Sequence, residues 1–463
     1  LLSAVRGMGK VAISVASSGI AAVLLDGGRT FHSAFKAPLS MTRHSNGFNV
    51  ARGSDLAKLI EAASLILWDE APMMNRHYLD GLDAMLRDIT RRDVPMGGKS
   101  VVIAGDFRQC LPVVVRGGRG QVVCASIKKS PLWPKFQVLR LTVNMRVRRL
   151  GESPEAERFA QWLMAIGDGK NWVGTDTDMH NLIDIPDELR SESVAKMIDW
   201  AWPDLKNGDV SGVLDSAILA GRNSVTHDVN ADVLKLFPGE EIVSHSADTL
   251  MGEDAGGSVI PVEYLNKEVP NGMPLHELRL KEGVPIMLLR NLDPTAKLCN
   301  GTRMTVKRQV GNVLIAEHEV DDGPRGPELR EVMIPRIPLS PKDTDYPFKW
   351  QRRQFPVRVA FAMTINKSQG QTFRGKVGVL LNDPVFGHGQ FYVAASRTVH
   401  PDNIRFCVSH EPPEVHGKLE RYSNPLTAVE EEAEPVLRHH LDPGDEAELE
   451  DELLGMLGGE VRD

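Results

Sequence analysis

No apolar run in this 463-residue chain approaches the roughly 20 residues that a membrane-spanning helix needs, so the sequence gives no membrane partner. Cysteine is scarce. Cys110, Cys124, Cys299 and Cys407 are scattered without metal-ligand spacing, which argues against structural zinc and suits a reducing compartment. No segment repeats, which removes solenoids and propellers. Positive charge is in deficit, with a formal net charge of -8, and this first speaks against nucleic acid. The deficit is local: Leu426 to Asp463 holds 13 acids against 2 bases, so residues 1–425 carry about +3. A mildly basic body with an acidic tail permits a groove that tracks phosphates without demonstrating one.

What is present is more specific. Ser64-Leu65-Ile66-Leu67-Trp68 runs directly into Asp69-Glu70, and Val101-Val102-Ile103-Ala104 runs into Gly105-Asp106-Phe107-Arg108-Gln109. Each reads as a short buried strand with polar groups at its carboxyl end, the edge at which open parallel α/β sheets bind ligands. An acidic pair after one strand and an amide after another is how a nucleoside triphosphatase holds magnesium and a water near the γ-phosphate. Taken singly, either strand is equally well an ordinary core strand with a polar exit.

The surrounding pattern alternates strand and helix to about residue 150: a strand from Lys10 to Val15, a small-residue helix from Ile20 to Leu25, a helix from Leu56 to Ala63, and one from His77 to Arg92 with Leu79, Leu82, Leu86 and Ile89 at helical spacing. That alternation predicts an α/β parallel sheet covered on both faces. A second α/β unit begins near Pro154, with a strand from Ser216 to Ala220 and a helix from Ser224 to Phe237. Residues 285–345 change to short β-rich runs broken by Gly and Pro, which predicts a small inserted β-barrel. The α/β pattern returns with Phe355 to Ile365 and Val377 to Leu381. The expected domains are 1–150, 151–284 with 346–425, the barrel 285–345, and an acidic tail 426–463 without a fixed fold.

A triphosphatase of this kind needs G-x-x-x-x-G-K-[ST], whose backbone N–H groups and lysine cradle the phosphates. Gly98-Lys99-Ser100 has the right ending, but Asp93 stands where the first glycine belongs and a strand follows. Gly9-Lys10-Val11 has Ala4 for that glycine and Val11 for the hydroxyl. Neither qualifies. Leu1 to Arg6 reads as the end of a helix already under way, and the expectation is a phosphate loop just upstream of Leu1.

Eight segments in order carry a resemblance: Ser18-Gly19-Ile20-Ala21-Ala22; Gly28-Arg29-Thr30-Phe31-His32-Ser33; Trp68-Asp69-Glu70-Ala71-Pro72-Met73; Gly105-Asp106-Phe107-Arg108-Gln109-Cys110-Leu111-Pro112-Val113; Asn144-Met145-Arg146; Met287 to Leu292; Phe361 to Thr372; and His388 to Arg397. Together they resemble the petite-integration-frequency (PIF) DNA helicases, in the form carried by Helitron transposons. The resemblance implies two RecA-like P-loop NTPase domains of superfamily one, an SH3-like inserted barrel, ATP and Mg2+ as cofactors, and 5′-to-3′ movement on single-stranded and forked DNA. It further implies a monomer in the nucleus, with the mitochondrion as alternative, and work in DNA repair, recombination and telomere maintenance.

Residue by residue, the resemblance implies that Asp69 holds magnesium, Glu70 polarises the attacking water, Gln109 senses the γ-phosphate, Arg146 and Arg397 act as arginine fingers, and Gly370 lies by the nucleotide. Thr30, His32, Ser33, Thr364, Lys367, Ser368 and Gln369 are the DNA-facing candidates. Phe31 or Phe35 stacks on a base or, more commonly for such a residue, fills the core. His388 reads as structural or sensor-adjacent, and Arg148, Arg149, Arg352 and Arg353 as solvated or loosely DNA-facing. Two other functions remain beside the motor: a transposon-derived remnant that binds single-stranded DNA without turnover, and an unrelated P-loop ATPase matching by chance, which the ordered motifs oppose.

Overall fold

The computed structural model describes residues 1–41, 47–114, 117–149, 151, 153–170, 182–251, 260–321, 327–341, 346, 348–381, 387–408 and 421–423. The acidic tail 426–463 lies outside them.

The first sheet is parallel, in the order β2-β1-β3-β4, from β1 (Val11–Ala16), β2 (Arg29–Thr30), β3 (Ala63–Asp69) and β4 (Ser100–Ile103). Register places Ala16 beside Asp69 and Trp68 beside Ile103, so the carboxyl ends of β1, β3 and β4 come level and their polar exits share one edge. Helix Arg76–Thr90 starts where the Asn75 side chain accepts the His77 N–H at 3.0 Å, and it buries Leu79, Leu82, Leu86 and Ile89 on one face. Phe31 and Phe35 are fully buried, with Phe31 4.3 Å from the Trp68 ring. They are core residues, each contributing roughly 1.5–3 kcal/mol by burial, and have no face to offer a base.

Among the described residues β4 is paired on one side only, and Val101, Val102 and Ile103 are each only partly covered. Leu139 to Met145 alternates apolar and polar, yet lies outside any described strand with Leu139 81 % and Leu141 101 % exposed. Apolar strands of a parallel sheet are ordinarily covered on both faces.

The second α/β unit begins with helix Pro154–Gly167, and β5 (Leu182–Asp184) follows. Its sheet is parallel in the order β17-β6-β18-β19; β6 is Ala217–Ala220. Between β6 and β17 lie β7 (Ile242–His245), β8 (Ala247–Leu250), β9 (Glu277–Leu280), β10 (Pro285–Leu288), β11 (Arg303–Val310), β12 (Val313–Asp321), β13 (Pro327–Pro335), β14 (Ile337–Leu339), β15 (Trp350–Gln354) and β16 (Val357–Val359). The sheet closes with β17 (Ala362–Thr364), β18 (Val377–Leu380) and β19 (Ile404–Cys407).

The region expected as a barrel takes another form. β10 to β13 with β16 make one antiparallel sheet in the order β13-β12-β11-β10-β16, and among the described residues its two outer strands, β13 and β16, are not paired to each other. Its inward side chains, including Ile286, Leu288, Met304, Val306, Leu314 and Ile334, share a core with Ile218, Val233 and Phe361 of the second α/β unit. The sheet therefore buries its face against the host domain and has no need to close on itself.

A smaller sheet, β14-β15-β8, carries its own core of Leu265, Met273, Leu339, Phe348 and Trp350. Here the expectation of a solvated Arg352 is corrected. Alternation along β15 turns Arg352 inward, fully buried, where it reaches Asp248 on β8 at 2.6 Å and donates to the carbonyls of Leu265, Glu268 and Pro274. Its partner lies more than one hundred residues away, beyond what local pattern can reveal.

Candidate active site

The Asp69-Glu70 turn is held from two sides. The Ser17 amide donates to the Asp69 carbonyl (3.1 Å) and the Trp68 indole N–H to the Ser17 hydroxyl (3.0 Å). Ala104 N–H donates to Trp68 O and Ala71 N–H to Ala104 O, at 2.8 and 3.0 Å. Between these ties Glu70 takes a left-handed backbone conformation, φ 51°, a strained state for a residue with a Cβ that surrounding structure must enforce. Asp69 Oδ1 accepts the Glu70 N–H at 2.9 Å.

Burial raises the Glu70 carboxyl above the usual carboxylate range. Asp69 and Asp106 add to the effect, and the cations Arg397 and Arg146 oppose it. The same list of neighbours places an acid from the end of β3 within electrostatic reach of the arginine after helix Gln390–Ala395 and of Arg146 on helix Met145–Arg149. Arg397 is buried and pushed down to about 10, first by burial and then by Arg146, so it stays cationic at neutral pH. Its guanidinium donates to the carbonyls of Val393, Ser368 and Gln371 and to the Ser396 hydroxyl. These ties fix it on the second domain with a remaining N–H for a ligand. Arg146 is exposed.

The sensor loop after β4 is clamped by the second domain. Tyr392 O–H donates to Asp106 Oδ2 at 3.0 Å, and His388 Nε2 lies 2.8 Å from the Phe107 carbonyl. Cys110 Sγ contacts Asn366 Oδ1 at 3.5 Å, and Arg108 Nε reaches Asp168 at 2.6 Å. Gly389, at φ +68°, packs so closely that a Cβ there would lie 2.4–2.5 Å from the backbone of Arg108 and Gln109; no other residue fits. Gln109 Oε1 is buried without a hydrogen-bond partner, an orphan acceptor of the sort that marks a ligand or water position.

Among the described residues no group of three or more His, Cys, Asp or Glu forms a self-sufficient metal site. That suits magnesium, which binds through one or two carboxylates together with substrate phosphates and water. Asp69 is the residue that would hold it, at the end of β3, while Asp106 is engaged by Arg108 and Tyr392.

The family model described as PIF1-like helicase matches residues 1–177, and that of the 2B domain of the DNA helicase Pif1 matches residues 263–308. Over residues 1–177 the chain is similar to the PIF1-like helicases. It is 25 % identical over 408 residues to the ATP-dependent DNA helicase PIF1 of Xenopus laevis, covering 86 % of this chain and 54 % of that protein. It is 27 % identical over 384 residues to the Pif1 helicase of Bdellovibrio bacteriovorus, covering 83 % and 75 %. The chain thus spans about half the length of the first of these relatives. A crystal structure of Bacteroides Pif1 in complex with ADP-AlF3 and ssDNA superposes with a TM-score of 0.58 at 23 % identity, covering 86 % of this chain and 82 % of that one; it shares the arrangement of two RecA-like domains.

Beyond the PIF1-like match of residues 1–177, placement rests on geometry. The fold puts Glu70 within electrostatic reach of Asp69, Arg146 and Arg397, and sets the Gln109 backbone against Gly389. Gly370 packs on Ile20 and Ala21 of the first domain. The Thr30 hydroxyl accepts the Ser33 N–H at 3.4 Å, the Ser33 hydroxyl accepts from Arg29 at 2.9 Å, and His32 lies edge-on to Tyr78. The Ser368 hydroxyl is fully buried and donates to Ile365 O at 2.7 Å, which leaves it no face for a strand in this conformation. Gln369 is buried with Nε2 unpartnered, while Thr364 and Lys367 are half-buried. Sequence reasoning overlooked Asp106 and Tyr392 as a pair. Both stood inside quoted motifs, but only the fold shows that they touch.

Proposed function

We propose that this chain is the motor portion of an ATP-dependent DNA helicase that moves 5′ to 3′ on single-stranded DNA and opens forked duplexes. The observation that supports it most is the meeting of Glu70, from the end of a first-domain strand, with Arg146 and Arg397, the latter anchored on the second domain. In this reading Glu70 takes a proton from the attacking water, which Gln109 Oε1 orients as acceptor. Arg146 and Arg397 stabilise charge on the phosphoryl oxygens in flight, a contribution of about 10³–10⁵ in rate for such cations. Bound magnesium would supply charge neutralisation between phosphate oxygens beside Asp69. Because Arg397 and Glu70 sit on different domains, hydrolysis depends on closure, and Tyr392 and His388 transmit closure to the sensor loop.

The described residues carry no phosphate loop. The half-bare β4 and the exposed apolar segment of residues 139–145 favour a sheet that takes a further strand, and the loop belongs on that strand. A polypeptide extended upstream by such a strand and loop should separate a duplex with a 5′ single-stranded tail and leave a 3′-tailed duplex intact. Equal unwinding of both, or unwinding of the 3′-tailed one alone, contradicts the proposed direction.

A further inference from the structure

The first sheet carries another charged site at its amino edge, opposite the edge that holds Asp69 and Glu70. Helix Arg76–Thr90 ends there, and the short turn Pro95–Gly98 leads from it into β4. A cavity of about 440 Å3 opens beside the helix end, lined by Arg52, Arg87, Arg91 and Arg92 together with Asp88 and Asp93.

The wall of this cavity is fixed from inside. The buried Asp83 carboxylate accepts the Met96 N–H at 2.5 Å and Arg87 Nε at 2.8 Å. The first of these bonds holds the turn, in which Met96, Gly97 and Gly98 are all left-handed, with φ 54°, 57° and 76°. The Arg92 guanidinium lies over Gly98, where a Cβ would come within 2.9 Å of it.

The carboxylates of the site are already engaged. Asp88 accepts two bonds from Arg52, and Asp93 accepts one from Arg87 at 2.6 Å. Arg91 and Arg92 are exposed, and among the described residues neither has a carboxylate bonded to it. A guanidinium fork matches a carboxylate, so two such groups in one concave wall suit a ligand that carries several carboxylates.

The chain itself contains such a ligand. Asp445, Glu446, Glu448, Glu450, Asp451 and Glu452 place six acids within residues 445–452, with no base among them. Residues 424–444 join this stretch to the last described strand, Arg421–Ser423. A connection of that length can span up to about 75 Å, more than the width of a domain. We propose that the acidic stretch 445–452 docks on the arginine pocket at the amino edge of the first sheet. Exposed ion pairs are individually weak. Here several act together, and the tether supplies an effective concentration of about millimolar. Docked there, the acids leave the ligand edge of the sheet clear. The proposal is independent of the nucleotide and nucleic-acid reading above.

The test is the rate at which phenylglyoxal modifies each arginine of the full chain, mapped by mass spectrometry. On going from about 0.01 M to about 1 M salt, which shortens the screening length from about 30 Å to about 3 Å, Arg91 and Arg92 should react several-fold faster. Arg140, exposed on the first domain, should not change. Replacing the six acids by their amides should give Arg91 and Arg92 the high-salt rate already at low salt. A peptide of residues 445–452, added to that variant at millimolar concentration, should restore the shielding, and inorganic phosphate at the same concentration should not. Equal low-salt rates in the wild type and the amide variant overturn the docking, as does a wild-type rate that salt leaves unchanged. Shielding of the variant by inorganic phosphate overturns it in favour of a free-anion site. Shielding by oligo-dT and not by the peptide overturns it in favour of a nucleic-acid contact. Each of these outcomes leaves the triphosphate site as described.

Discussion

Glu70 combines a strained backbone, burial and two neighbouring acids, and these determine how it should titrate. A carboxyl raised above its ordinary value is ionised only above that raised value, and a general base must be ionised to act. Turnover of the loop-bearing form should therefore fall as pH drops, with an acid limb displaced above the range of an ordinary glutamate. Glu70→Gln should lose about 10²–10⁴-fold in kcat while nucleotide binding persists, since an amide cannot take the proton. A pH–rate profile and a nucleotide titration check both. An acid limb at the ordinary glutamate position, or undiminished turnover in the amide variant, removes Glu70 from the role.

At the scale of elements, helix Gln390–Ala395 and the sensor loop after β4 touch through Tyr392 and Asp106. Tyr392→Phe deletes that hydrogen bond and keeps the ring packing. It should lower the stimulation of ATP turnover by DNA by roughly fivefold or more, a modest coupling free energy, with little change in the unstimulated rate. Equal loss of both rates would make Tyr392 merely structural. In the β14-β15-β8 sheet, Arg352→Ala strands a buried Asp248 and should cost about 3–5 kcal/mol, read by urea unfolding. Replacing Arg352 and Asp248 together with leucines should recover much of that loss. A single substitution within experimental error of the wild type would contradict the buried pairing.

These elements differ in how openly the sequence declares them. β3 and β4 are legible because short continuous apolar runs with polar exits read as strands of a parallel sheet, and helix Arg76–Thr90 because its leucines recur at helical spacing. The Asp69-Glu70 and Gln109 exits follow directly from where those strands end. The open antiparallel sheet was read as a barrel because short β-runs look alike whether the sheet closes or packs on a neighbour. The β8–β15 pairing and its buried Arg352 were hidden because an arginine on an alternating strand gives no sign of which face is inward.

Taken whole, the molecule is two parallel sheets joined by contacts on the sensor loop, Tyr392 to Asp106, His388 to Phe107, Asn366 to Cys110 and Gly389 against Gln109, and by the packing of Gly370 and Gly301 on Ile20. An arrangement of this kind makes chemistry conditional on how the sheets sit together, which is what a motor needs and a passive binding protein does not. The acids and arginines are present here, whereas the donors that cradle a triphosphate are not among the described residues. Losing such donors removes ground-state binding as well as transition-state support. The most direct measurement is therefore ATP turnover with and without single-stranded DNA, compared between the 463-residue chain and the same chain extended upstream by a strand and phosphate loop. The account predicts DNA-stimulated turnover in the extended form and little in the shorter one; equal turnover by the 463-residue chain alone would contradict it.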